Sequence, residues 1–80
     1  MKYYVYILRS LKDGKRYIGF TSDLQRRLTE HNSEKVKSTK NRKPFELIYT
    51  ETFENKSDAM KREKFFKTHQ GRNYLDSINK

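Results

Sequence analysis

Cysteine is absent from this chain, so no disulfide and no thiolate metal site can reinforce its fold. Imidazole is scarce as well. Only His31 and His69 supply it, and a structural zinc is not expected. Hydrophobic residues make up 32% of the sequence, against a globular norm of roughly 45–50% for a similar residue set. No apolar run approaches the roughly 18–20 residues needed to span a bilayer as a helix. The opening MKYYVYILRS meets charge too soon for a signal peptide, so a cytoplasmic location is the default expectation. There is no Walker-type phosphate loop, no HExxH motif and no zinc-finger spacing.

The apolar content that exists is concentrated in short periodic runs, which argues against disorder throughout. A chain of 80 residues is expected to form one domain, 1–80, burying roughly 60–65% of its unfolded surface around a modest core. Nineteen Lys and Arg against ten Asp and Glu give a formal net charge of +9. That excess favours an anionic partner, with nucleic acid ahead of a membrane surface.

Tyr3–Leu8 is rich in aromatic and β-branched residues and reads as a strand, apolar on both faces and so interior to a sheet. Asp13-Gly14 inside Lys12–Lys15 is a hairpin signal, and Arg16–Gly19 reads as the returning strand. Gly19 lets another part of the chain approach closely. A helix is expected to start near Ser22, with Ser22 as cap and Gln25 completing a capping box, and to end near Asn32. Leu24 and Leu28 would face the core, with Arg27 and His31 as a neighbouring polar stripe. The basic segment 33–43 reads as a loop ended by Pro44. Phe45–Thr50, extendable to Phe53, reads as a third strand with imperfect alternation. A second helix is expected from Asn55–Ser57 to about Thr68, its apolar stripe formed by Ala59, Met60 and Phe66. Gly71 reads as a break before a short helix over Arg72–Ile78.

Glu63 carries the most information. It lies four residues after Ala59 and three before Phe66, near the middle of the inward face. A carboxylate beside a core stripe must be satisfied by a cation, or else serve as an oxygen ligand for a hard divalent ion. Arg27, on the flank of the buried leucines, suits a phosphodiester because its donor fork matches two oxygens; otherwise it is a solvated helix arginine like Arg26. Tyr6 and Tyr17 sit on paired strands, either as packing residues or as phenols able to relay a proton. His31 either assists phosphate chemistry or complements the helix C-terminus. Lys35, Lys37, Lys40, Arg42 and Lys43 form a backbone-contact patch for nucleic acid, or a solvated face. His69 has no assigned role.

Taken in order, Tyr4-Val5-Tyr6, Tyr17-Ile18-Gly19, the segment Thr21–His31 containing Arg27, and Ala59–Lys64 containing Glu63 resemble the GIY-YIG nuclease superfamily. The resemblance spans nearly the whole chain. It is closest to small standalone bacterial proteins likened to the N-terminal nuclease domain of the excinuclease. It implies an α/β (α+β) fold with a three-stranded antiparallel sheet flanked by helices. It also implies metal-dependent phosphodiester hydrolysis, with Tyr6 or Tyr17 activating or orienting water and Tyr6 preferred as the base. By the same analogy Arg27 would steady the scissile phosphate, His31 would assist, and Glu63 would hold Mg²⁺ or Mn²⁺. DNA is the expected partner and RNA the second, with the protein acting as a monomer or weak homodimer. Three positions depart from the family pattern. Tyr4 stands where the first signature has glycine, Phe20 follows Gly19 where the excinuclease branch soon has lysine, and no asparagine after Glu63 aligns securely, Asn73 being the nearest candidate. A binding module of the same fold without catalysis, and a protein-interaction adaptor, are the rival readings.

Overall fold

The computed structural model describes residues 2–33 and 43–80. In chain order the elements are β1 (Tyr3–Ser10), β2 (Arg16–Thr21), α1 (Leu24–Asn32), β3 (Phe45–Phe53), α2 (Lys56–Phe66) and α3 (His69–Ser77). The strands form an antiparallel sheet in the order β2-β1-β3, so β1 is central and β2 is an edge. This position explains why Val5, Tyr6, Ile7 and Leu8 are all buried, on both faces of one strand.

Alternation along β1 divides the molecule into two cores. Val5 and Ile7 point to the side carrying Ala59 and Phe66 of α2 and Leu75 of α3, where Ile18, Phe20 and Tyr49 add partly buried surface. Tyr6 and Leu8 point the other way, packing with Phe45 and with Tyr17, Leu24 and Leu28. Pairing of β1 with β3 shifts register between Ile7 and Leu8, whose partners are Tyr49 and Leu47, leaving Ile48 over. That irregularity is the reason for the imperfect alternation of the third strand in the sequence.

Several local expectations are corrected. Asp23, not Ser22, caps α1: its side chain accepts from the Arg26 N–H at 3.1 Å, while Thr21 Oγ1 accepts from the Asp23 N–H at 3.1 Å and holds the turn. Asn55 caps α2 through the Asp58 N–H, as the sequence suggested, but the helix ends at Phe66. Met60 is exposed, not core. The inward face of α2 is Ala59, Arg62, Glu63 and Phe66, which is i, i+3, i+4, i+7 spacing with two charged members. Met60 sits one residue off that row.

Gly71 is no break either. Thr68 caps α3, which starts at His69 and includes Gly71 in its first turn. A Cβ there would run into the Phe65 carbonyl oxygen and the Phe66 Cα, so glycine permits the backbones of α2 and α3 to touch. Arg62 secures the same corner. Its guanidinium donates to both oxygens of Glu51 at 2.7 and 3.1 Å and lies over the rings of Phe66, Phe65 and Tyr74 at 4.5, 4.8 and 5.2 Å. Tyr49 donates to the same carboxylate at 2.6 Å, and this hydrogen bond pushes its phenol up from the ordinary tyrosine value.

Candidate active site

The register of the β1–β2 hairpin sets the site. Tyr6 lies opposite Gly19, and Leu8 opposite Tyr17, so all four face α1. A Cβ on Gly19 would stand 2.5 Å from the Tyr6 hydroxyl oxygen and 2.7 Å from its ring. The phenol therefore lies flat across the glycine, which is the close approach expected of Gly19, made by a side chain. His31 comes from the last turn of α1 and is fully buried. Its ring packs edge-on against Tyr17 at 4.8 Å and Tyr6 at 5.8 Å, with Phe45 closing the far side at 6.0 Å.

The polar contacts converge on the Tyr6 hydroxyl. His31 Nε2 lies 3.0 Å from it, and Arg27 Nε donates to it at 3.4 Å. Because Arg27 only donates, the phenol oxygen accepts there; in the tautomer that leaves Nε2 unprotonated, His31 accepts the phenol proton. Arg27 Nη1 is held by Glu30 at 3.1 Å. Its Nη2 makes no hydrogen bond among the described residues and remains available to an anion.

Burial pushes the Tyr6 phenol above its ordinary value of 10.0, outweighing Arg27, which lowers it; the neighbouring Tyr17 and Glu63 raise it further. The helix that carries Glu63, α2, packs on the sheet face opposite to Tyr6. Burial and then the Arg27 charge hold His31 down at about 4, from an ordinary 6.5. His31 is a neutral imidazole at physiological pH.

Glu63 pairs with Lys67 at 3.3 Å, one turn along α2. The adjacent Arg62 goes to Glu51, and no arginine among the described residues pairs with Glu63. The Glu63 side chain is only 18% exposed, and Lys67 engages Oε2, leaving Oε1 without a hydrogen-bond partner among the described residues. No group of three or more acidic, His or Cys side chains that could hold a metal occurs among the described residues. A single hard oxygen donor nonetheless fits a magnesium-type ion, which keeps several waters and takes its other ligands from a substrate phosphate.

Comparison with known proteins now decides the family. The profile of the GIY-YIG catalytic domain matches residues 2–76. The chain belongs to the GIY-YIG family. A UPF0213 protein of Staphylococcus saprophyticus is 40% identical over 79 residues, covering 98% of this chain and 95% of that protein. One from Halobacterium salinarum is 45% identical over 62 residues, covering 76% and 79%. The solution NMR structure of the UPF0213 protein BH0048 from Bacillus halodurans superposes with a TM-score of 0.59 at 41% identity, covering 98% of this chain and 85% of that one. GIY-YIG membership points to a nuclease and implies nucleic-acid binding, and GIY-YIG nucleases are generally dependent on a divalent metal. No helix among the described residues is long and apolar enough to cross a membrane.

Of the residues singled out in the sequence, Tyr6, Tyr17, Arg27 and His31 are thus brought together, whereas Glu63 stands on α2, which packs on the other face of the sheet. His31 was the understated member. The sequence located it on a polar stripe, yet it is at the centre of the cluster. Lys35, Lys37, Lys40 and Arg42 lie outside the described residues; Lys43 is described and half-buried. Asn73 lies on the exposed surface of α3.

The buried histidine has a consequence for stability. Its folded pKa lies below its unfolded one, so the unfolded chain binds a proton that the folded chain refuses. The contribution of this group to stability is complete above about pH 6.5 and is lost as pH falls toward about 4. The loss is on the order of 2–3 kcal/mol. Urea midpoints measured across this range will show it. His31→Gln should flatten the part of the curve due to this group, and an unchanged slope in that variant would refute the assignment.

Proposed function

We propose that this protein is a divalent-metal-dependent endonuclease that hydrolyses DNA phosphodiester bonds, with residues 1–80 acting as one catalytic domain. The single observation that carries the reading is the convergence of Arg27 and His31 on the Tyr6 hydroxyl. This brings a phosphate-binding cation, a phenol and a neutral imidazole into one hydrogen-bonded group.

The roles follow from the chemistry of each group. The free Nη2 of Arg27 binds a non-bridging phosphate oxygen and stabilises the charge that develops there. With its pKa raised, Tyr6 is a phenol at neutral pH, so it orients the attacking water rather than waiting as a phenolate. It can take the water proton only as it passes its own to His31 Nε2. A phosphate on Arg27 offsets one of the two influences that depress His31, which makes the imidazole a better acceptor when substrate is bound. Tyr17 packs against His31 and fixes its orientation. Glu63 would hold Mg²⁺ or Mn²⁺, and the bound ion would neutralise charge on the phosphate and leaving oxygen.

The test is a cleavage assay on branched, single-stranded and duplex DNA, and on RNA, with Mg²⁺ or Mn²⁺ and with a chelator. Metal-dependent cutting of DNA is the expected result, with branched substrates preferred. Tight DNA binding without cutting of any substrate would replace the enzyme reading by that of a binding module.

A further inference from the structure

A basic cleft of about 650 Å³ opens along the β2 edge, away from the Tyr6 hydroxyl. Five cations line it: Arg9 of β1, Lys15 of the hairpin turn, Arg16 of β2, Lys67 at the end of α2, and Arg72 of α3. No acidic side chain contributes to the wall. Tyr17 also lines it, and Lys67 is ion-paired to Glu63, so the cleft borders the candidate active site at two points.

Not all five charges are spent within the protein. Arg16 pairs with Asp76, and Lys67 with Glu63. Lys15 and Arg72 enter no ion pair among the described residues. Arg9 donates from Nη2 to the main-chain oxygen of Lys80 at 2.7 Å, while its buried Nε finds no acceptor. Arg16 Nε donates to the same Lys80 oxygen at 2.9 Å, so Lys15 and Arg72 are the two cations of the wall with no ion pair among the described residues, and the cleft presents a net positive concave surface to an anion. Elements from both ends of the chain build the wall, which argues for a shaped cleft and not a solvated run of charge.

We infer that this cleft carries the phosphodiester backbone of one nucleic-acid strand leading away from the scissile phosphate. The inference rests on the nuclease reading for its direction, since Tyr17 and Lys67 connect the cleft to the reacting centre. It adds the hairpin and the α2–α3 corner to the basic segment 33–43 as places for backbone contact. Such contacts set the position of the strand without reading its bases.

The experiment measures binding of a short fluorescent single-stranded DNA by anisotropy over a salt series, without metal so that nothing is cut. Lys15→Gln/Arg72→Gln removes two cations that have no ion-pair partner to strand. Lys56→Gln/Lys61→Gln removes the same charge from the outer side of α2. The cleft variant should bind roughly 25-fold more weakly at about 0.1 M salt, with the salt slope reduced by about 1.4. The outer variant should keep the wild-type slope. Equal losses in both variants, or an unchanged slope in the cleft variant, would overturn the inference. So would displacement of the DNA by inorganic phosphate beyond that given by chloride at equal ionic strength, because the site would then serve a free anion. Failure here is separable from failure of the nuclease reading, because binding slopes do not depend on turnover. The expected slopes without any cutting would remove the nuclease and keep the strand path. Cutting by a cleft variant whose slope is unchanged would do the reverse.

Discussion

Arg27→Ala should reduce the cleavage rate constant by about 10²–10³, with a smaller change in substrate affinity. The arginine meets the site through three nitrogens with different tasks. Nε donates to the Tyr6 hydroxyl, Nη1 is steadied by Glu30, and Nη2 is open to the phosphate. Truncation therefore removes the transition-state contact and also takes a hydrogen-bond donor away from the Tyr6 hydroxyl. The side chain is 35% exposed and bonds Tyr6 and Glu30, so its truncation should also cost stability, by on the order of 1–2 kcal/mol. Arg27→Lys should recover only part of the rate, because an ammonium cannot reach Tyr6 and a phosphate oxygen with one fixed fork. Single-turnover cleavage of labelled DNA, with urea unfolding as the control, makes the measurement. A variant that is folded and cuts at the wild-type rate would remove Arg27 from the mechanism.

Phe66→Ala is expected to lower stability by about 3–5 kcal/mol. The ring is fully buried, meets Tyr49 edge-on at 6.2 Å, and lies beneath the Arg62 guanidinium at 4.5 Å. Removing it opens a cavity at the junction of β3, α2 and α3 and leaves the Arg62–Glu51 pair without its apolar support. A domain of this size has a total stability of roughly 4–12 kcal/mol, so the variant stands close to the unfolding threshold. Chemical denaturation at fixed pH will read the difference. A loss below about 1 kcal/mol would mean that the α2–α3 corner is not the main stabilising core.

The sheet was legible because its signals are local and mutually consistent. Tyr3–Leu8 is apolar at every position, Asp13-Gly14 marks the hairpin, and Gly19 advertises a close approach. The inward position of Glu63 was legible too, since helical spacing from Ala59 and Phe66 requires it. What escaped the sequence depends on partners remote along the chain. Arg62 reads as surface charge until Glu51 of β3 is seen to neutralise it. His31 reads as a terminal polar residue until Tyr17 and Phe45 enclose it. The choice of Asp23 over Ser22 as cap turned on Thr21, whose hydroxyl pulls the turn one residue further. Gly71 illustrates the limit most clearly, because glycine as helix breaker and glycine as contact point look identical until the neighbouring helix is known.

The matching of Tyr6 to Gly19 reaches beyond the site. Side chains on β1 alternate between two different cores, so a slip of one residue would turn Tyr6 toward Phe66 and Ile7 toward His31. Chain length is consequently rationed unevenly along the hairpin. Leu11–Lys15 can grow or shrink without reversing either strand, at the cost of turn geometry and of the place of Lys15 in the cleft. Between Tyr6 and Arg9, or between Arg16 and Gly19, one added residue reverses every side chain beyond it and separates the phenol from the only position in β2 able to lie beneath it.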